Sequence, residues 1–540
     1  MKRSLIVIAF LTLACSPAAQ PAGGDAGGPG QPKSGGTLNI RSTLDPFNFD
    51  IHLQRTIPNI WGAATAYNSL LSWKLGPGVD YNDMVLQPGL AERWEVSPDA
   101  KNFTFHLRKG VKFADLPPVN GRELTSKDVS FSTEYMGSIG EFKAKRPTEQ
   151  AFFVEGLERL ETPDPYTVSF YFKQPFVPFI SYSASEYFPM QPREIYDQDG
   201  SFEKQIVGTG PFQLDVNASQ KGTRWVWKRH PNYFQEGRPY LDEVRWLVLP
   251  QDSVVLPAFQ TKQLDLLHHQ IGFNDAEPIM KQLPNIPSQR YVEHGGIELF
   301  LSQLPARNSP VRDIRVRKAI SLAIDRDEMN KTLFGGQAEM AMPGARPGLF
   351  TQEETRQLHA KHDPAEARRL LAEAGYAGGV NLEWPVPNDD DTGTLTWIQL
   401  VQAQLKKTGI NVDLKVLERT EQRRLRRNYQ FDLDQGGTGG PADDPDTRIW
   451  QRYYSGDALN YSRVNDPELD RLVLASRAET DPKKREEILR AIARRVAENV
   501  YYIYLVYQPR WWFWHPYVQN ASPHLGGFRS RAFLMAWLDK

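Results

Sequence analysis

The sequence predicts a mixed α/β fold, with α+β character, divided into several lobes. Three observations point there. The chain has 540 residues, more than one hydrophobic core usually supports, so two or three lobes are expected. Stretches with strand-like alternation and stretches with helical spacing follow one another along its whole length. No internal repeat with a period of roughly 20–50 residues is visible, which sets solenoids and propellers aside.

Composition narrows the function classes. Hydrophobic residues make up 40% and aromatic residues 11%, enough for large cores. The 64 basic and 65 acidic residues nearly cancel, and nothing marks a nucleic-acid surface. Thirteen Trp and 21 Tyr serve cores, but they also line ligand clefts, because each ring pairs an apolar face with a polar tip.

The chain starts with Lys2 and Arg3, followed by an apolar run from Leu5 to Ala14. That run is too short to cross roughly 30 Å of hydrocarbon. Small Ala14 precedes Cys15, the only cysteine of the sequence. A lone cysteine forms no internal disulfide and no CxxC metal knuckle. It has no neighbouring His to lower its pKa, so a nucleophile is not favoured. Residues 1–14 read as a signal peptide with a cleavage point. With Cys15 just after that point, the stretch resembles a bacterial lipobox, with Thr12 where Leu is commonest. The alternative is an ordinary signal peptide with an incidental cysteine. A diacylated Cys15 would anchor the chain, since each buried CH₂ of lipid contributes about 0.8 kcal/mol. Residues 15–36 are rich in Gly, Pro, Ala and Ser and read as a disordered tether. No second long apolar run follows, so no span of the bilayer is expected.

Further along, "GGTLNIRSTLDPFN" reads as a strand ending in a turn at Asp45-Pro46. "NFTFHLRKGVKF" alternates and turns at Lys109-Gly110, predicting a hairpin. "TSKDVSFSTEYM" opens on Thr125 or Ser126 as an N-cap and continues as a helix. "YTVSFYF" and "EVRWLVLP" are strands. Val316 to Leu333 carries one amphipathic helical pattern, and "DPAEARRLLAEAGY" a second, stopped by Gly375. "GINVDLKVLE" alternates as a strand. "DPKKREEILRAIARRVAENV" is a long charged helix ahead of the apolar strand "YYIYLVY".

Several short motifs then occur in one order. They are "LAERWEVSPDAKNFTFHLRKGVKF" with "LTSKDV", "GTGPFQL", "NYFQEGRPYLDEVRW", "VRDIRVRKAISLAIDRDEM", "DPAEARRLLAEAGY" and "DPELDRL". In this order the chain resembles the family-5 extracellular solute-binding proteins, the peptide, nickel and opine receptors of ABC importers. The resemblance spans nearly all of Gly36 to Lys540. It implies a bilobal hinge-bending fold of the type II periplasmic-binding-protein kind, large cluster, with a third inserted lobe. Lobe I is expected at 37–55, 205–296 and 505–540, lobe II at 56–204 and lobe III at 297–504. Ligand would sit between lobes I and III, with contacts from both stabilising the closed state. The implied role is a receptor that captures peptides or peptide-like solutes and delivers them to ABC permease subunits. The implied state is a monomer, lipid-anchored in the cell envelope on the periplasmic or extracellular face, with no cofactor.

Candidate site residues stand in two stretches. "LDLLHHQIGF" sets His268 beside His269. Strand neighbours face opposite sides, so the two are poorly placed to share a metal. One buried and one surface histidine is the plain reading. The resemblance instead points His268, His269 or Gln270 at a ligand backbone. "RRLRRNYQFDLDQGGTGGPADDPD" carries Gly436, Gly437, Gly439 and Gly440, which let backbone approach a ligand closely. A flexible turn after a strand is the alternative. The resemblance places this loop, with Gln435, Gly437 and Thr438, at the cleft. In peptide-binding relatives an aspartate there pairs with the ligand's α-amino group. Pro441 occupies that position here, and Asp443 or Asp444 would substitute after a small loop shift. Arg426 falls where some relatives place an arginine that meets a ligand carboxylate. With Arg423, Arg424 and Arg427 beside it, a solvated charged face is the equal alternative. "NDDDTG" lacks the ligand spacing of a calcium loop and reads as a solvated helix entry. "YLVYQPRWWFWHPYV" reads mostly as core, with one or two rings at the cleft. There is no GxSxG, no HExxH and no Walker loop. A carboxylate pair from distant segments keeps a secreted hydrolase as the rival class. The same receptor fold serving a sugar, opine or metal chelate is a further alternative.

Overall fold

The structure is a computed structural model. It describes residues 30–53, 56–143, 148, 150–293, 295–344, 348–388, 394–436, 444–525 and 531–540, with backbone alone at 269, 270, 531 and 532. Lys33–Lys540 is one compact unit; of the residues before it only 30–32 are described. Cys15 and the tether to residue 29 therefore lie outside the described residues, as do residues 389–393 of the acidic "NDDDTG" stretch. Among the described residues no helix is long and apolar enough to cross a membrane.

A mixed seven-stranded sheet is assembled from three separate stretches of chain. Its order is Ser288–Val292, Pro509–Trp514, Leu266–Ile271, Thr37–Ser42, Glu243–Val248, Arg224–Arg229 and Phe212–Leu214. Thr37–Ser42 runs parallel to both neighbours, and the remaining pairs are antiparallel. Alternating residues such as Leu38, Ile40, Val244 and Trp246 are fully buried, because a period of two puts them on one face.

A four-stranded antiparallel sheet follows, in the order Ala91–Val96, Asn102–Leu107, Thr167–Phe172 and Leu157–Asp164. Its core is phenylalanine-rich. The Phe179 ring lies 5.1 Å from Phe103 and 4.8 Å from Phe170, and is fully buried. Burying such a ring stabilises the fold by about 1.5–3 kcal/mol, before ring–ring terms. Thr125 caps the helix Ser126–Gly137 in a capping box, its N–H donating to Asp128 Oδ2 at 2.8 Å.

A three-stranded antiparallel sheet has the order Leu433–Gly436, Glu298–Leu301 and Tyr502–Tyr504. Beside it lies a parallel pair, Val380–Pro387 with Ile410–Leu417. The helix Pro364–Glu373 is capped by Asp363, which accepts from Glu366 N at 3.0 Å, and ends before Gly375 at φ +92°.

Three sequence expectations need correction. The hairpin at Lys109-Gly110 does not form. Gly110 does turn, at φ +75°, but both edges of Asn102–Leu107 are already taken, by Ala91–Val96 and Thr167–Phe172. Val111 and Phe113 go into the core instead. The single helix over 316–333 is two, Ile314–Ala323 and Arg326–Phe334. Ile324 turns extended and Asp325 starts the second helix by accepting from Glu328 N at 2.8 Å, so a cap interrupts an otherwise continuous pattern. "YYIYLVY" is likewise divided. Tyr502–Tyr504 pairs with Glu298–Leu301, whereas Val506–Tyr507 pairs with Glu339–Met340.

Candidate functional site

The last strand residue before the glycine-rich stretch is Gly436 of the three-stranded sheet, and the described chain resumes at Asp444. Gly437, Thr438, Gly439, Gly440, Pro441 and Asp443 lie outside the described residues, so the site is built from the two ends of this loop and their surroundings.

At the first end, Gly436 pairs with Glu298 across the antiparallel ladder. A Cβ at position 436 would stand 2.0 Å from the Glu298 Cγ, so glycine is needed here for close approach. Glu298 is buried and faces Arg452 Nε at 3.4 Å. Burial works against the charge on Arg452, but the Glu298 carboxylate together with the Tyr502, Tyr504 and Tyr461 phenols outweighs it and holds the guanidinium pKa above its ordinary value. Gln435 accepts from the Trp384 indole at 2.7 Å.

Arg426 sits on the helix Arg419–Arg427 and turns inward. Its Nε donates to Asp434 Oδ2, and its Nη2 reaches Gln435 O at 2.6 Å. Asp434 is fully buried and also accepts from Gln422 Nε2 at 2.8 Å and from Gln435 N at 2.9 Å. Burial pushes the Asp434 carboxyl up despite the Arg426 charge. Arg426 is thus engaged with an internal acid and a carbonyl, while Arg423, Arg424 and Arg427 are exposed.

At the second end, Asp444 is 5% exposed and is held on several sides. Arg485 donates to it from Nη2 at 2.6 Å and from Nη1 at 2.9 Å. Asp446 N donates to it at 2.9 Å and Ser181 Oγ at 3.4 Å. Asp444 is therefore not free to swing toward a solute without abandoning Arg485. Two residues on, Asp446 accepts from Arg477 Nε at 2.8 Å and from the Tyr182 hydroxyl at 2.8 Å. Burial, and then the Asp446 charge, push the Tyr182 phenol well above its ordinary pKa, so it donates as a neutral hydroxyl.

The histidine stretch lies on the strand Leu266–Ile271. Its pairing with Pro509–Trp514 slips between Leu267 and Ile271, so His268 to Gln270 form a bulge. His268 is 1% exposed, with ring centroids of Trp61 at 4.7 Å, Trp512 at 5.6 Å and Phe533 at 5.4 Å. It stands in an aromatic core. The side chains of His269 and Gln270 lie outside the described residues. Among the described residues no group of three or more His, Cys, Asp or Glu is placed to hold a metal ion.

The network of Tyr182, Asp446, Arg477 and Arg485 was not read from the sequence. Arg477 and Arg485 bond acids that are 31 and 41 residues away, at the start of the helix Asp446–Tyr453 and just before it, and no local pattern marks them.

Residues 85–460 match the family model described as bacterial extracellular solute-binding proteins, family 5 Middle. The di/tripeptide-binding protein 1 of Pseudomonas aeruginosa (strain UCBPP-PA14) is 28% identical over 456 residues, covering 81% of this chain and 82% of its own. The dipeptide-binding protein of Escherichia coli (strain K12) is 27% identical over 441 residues, covering 78% and 80%. Among solved structures, AgaA from A. tumefaciens R10, in complex with agropinic acid, superposes with a TM-score of 0.78 over 94% of this chain and 99% of its own. At 24% identity that likeness speaks for the fold alone.

Proposed function

Because the chain belongs to the family-5 bacterial extracellular solute-binding proteins, and so binds a solute rather than transforming one, we propose that it captures peptides or peptide-like solutes for an ABC importer. Its place is the cell envelope. The observation that carries the peptide reading is the pair of relatives named for di- and tripeptides, each matched over about four-fifths of both chains.

The clamp reading assigns lobe I to 37–55, 205–296 and 505–540, lobe II to 56–204 and lobe III to 297–504. Two chain segments running side by side between the seven- and three-stranded sheets support a hinge. Glu293 N donates to Gln508 O at 2.8 Å, and Ile297 N to Val506 O at 2.8 Å. Gly296 between them has φ +52°, a conformation in which glycine is at ease. In this reading the solute lies between lobes I and III, with the 437–443 loop at its edge. His269 and Gln270, at the bulge, would face it from lobe I, and Gln435, Gly437, Thr438 and Asp443 from lobe III. Cys15 carries the lipid that holds the receptor at a membrane, where the permease subunits await it.

A second reading, the same receptor taking an opine, sugar or chelate, is favoured by one observation. Asp444 and Arg426, the charges nearest the roles of meeting a peptide's two ends, are both spent on internal partners. Mass spectrometry of the solute released by denaturing the purified protein separates the two. Peptides of a few residues support the first reading, and a non-peptide solute the second.

A further inference from the structure

We propose that the chain carries its own closing latch, built where the segment Glu155–Tyr182 meets the segment Asp444–Arg485, and that it holds these segments together without a solute. The inference rests on the clamp reading but not on which solute is bound.

The two segments belong to different hydrophobic cores. Phe153, Phe176, Phe179 and Tyr182 pack with the four-stranded sheet. Ile449, Trp450, Leu469 and Val473 pack in a separate cluster. Between them the Tyr182 hydroxyl donates to Asp446 Oδ2 at 2.8 Å, and Arg477 Nη1 donates to Glu155 Oε2 at 2.9 Å. Val177 N donates to Arg477 O at 2.8 Å, and the Arg477 guanidinium lies between the rings of Phe176, at 4.9 Å, and Trp450, at 3.4 Å.

The charge arrangement decides that this is a latch rather than a weld. The strong buried pairs, Asp444 with Arg485 and Asp446 with Arg477, each lie wholly on one side. Separating the segments therefore strands no buried charge, which is the event that makes breaking a buried ion pair so costly. What is lost is the Tyr182 hydrogen bond to the charged Asp446, the backbone bond from Val177 to Arg477, the Phe176 face of the Arg477 guanidinium and one ion pair to Glu155. Glu155 is itself 44% exposed, so its carboxylate returns to water easily. The join is strong enough to bias the two states and weak enough to open.

Electron–electron distance measurements test this on the full chain carrying Cys15→Ser. Spin labels go on cysteines introduced at Glu158 and Glu486, both half-exposed. Bound solute is first stripped by partial unfolding and refolding. The unmodified latch should give a dominant short-distance population with no solute present. Tyr182→Phe with Glu155→Gln should lower the ratio of short to long distances by about tenfold or more, as loss of two charge-assisted hydrogen bonds predicts. If that pair of changes prevents refolding, Glu155→Gln alone, at the half-exposed rim, should still lower the ratio. A solute-free chain that is wholly in the long-distance form, or variants whose distances superimpose on the parent, would overturn the latch. The peptide reading would be untouched by either result, because no peptide enters the experiment.

Discussion

Asp444 takes both arms of Arg485, at 2.6 and 2.9 Å, in a nearly solvent-free setting directly after the glycine-rich stretch in sequence. An acid that close to the loop invites a ligand-binding role. Its geometry assigns it first to holding the loop's end.

Asp444→Asn should therefore act on stability as well as on binding. Arg485 would be left buried with a neutral partner, and breaking such a pair costs about 3–5 kcal/mol when one charge is deleted outright. The amide retains part of that interaction, so a loss of about 2 kcal/mol in urea unfolding is expected. An unchanged urea midpoint would show that Arg485 does not depend on Asp444.

Gly436→Ala tests the close approach to Glu298. The new methyl group would overlap the Glu298 side chain, and forcing extra volume into a packed site costs about 1–3 kcal/mol. The thermal midpoint should fall by about 1–3 °C. A variant that melts with the parent would mean that Glu298 has room to move aside.

Stability should also fall as pH drops. His359 is buried, and burial, then the neighbouring Arg326 charge, hold its pKa well below the usual imidazole value of 6.5. Its Nε2 accepts from Tyr504 N at 2.9 Å, so the folded state needs the neutral ring. The unfolded chain takes up a proton below about pH 6.5 and the folded chain does not. The unfolded state then binds more protons, and stability falls as pH goes down, by up to about 1.4 kcal/mol per pH unit. Urea midpoints at pH 7.5 and pH 5.5 should differ less in His359→Gln than in the parent. Equal differences would remove His359 as a source of the effect.

Cys15→Ala should release the protein from membranes without changing its unfolding curve, since the lipid would sit beyond the tether. A variant that still sediments with membranes contradicts the anchor.

Much of the fold was legible because its signals are local. The N-cap at Thr125 or Ser126, which the structure settles as Thr125, the Gly375 stop, and the alternation of Ile410–Leu417 are each written within about a dozen residues. The break at Ile324 was not legible, because the apolar spacing runs straight through it and only the Asp325 cap and the buried Arg326 decide otherwise. The failed hairpin has the same cause. Both edges of Asn102–Leu107 are filled by strands whose pairing is tertiary. The site was less legible than the fold. Arg426 and Asp444 stand where the family resemblance drew attention. Their partners, Asp434 and Arg485, decide what they do, and Arg485 comes from a helix remote in sequence.

The peptide's amino end gives a sharper test of the loop. If Asp443 meets the amine, a free tripeptide should bind more tightly than its N-acetylated form, and Asp443→Asn should erase the difference, a change of roughly 2–5 kcal/mol. Equal affinities that Asp443→Asn leaves unchanged would sink amine pairing.

The most direct test of the whole account is titration calorimetry of the stripped protein with an equimolar library of di- and tripeptides. Capture of peptides predicts saturable heat with one solute per chain. No heat from any peptide, with the protein folded and monodisperse, would contradict a peptide receptor.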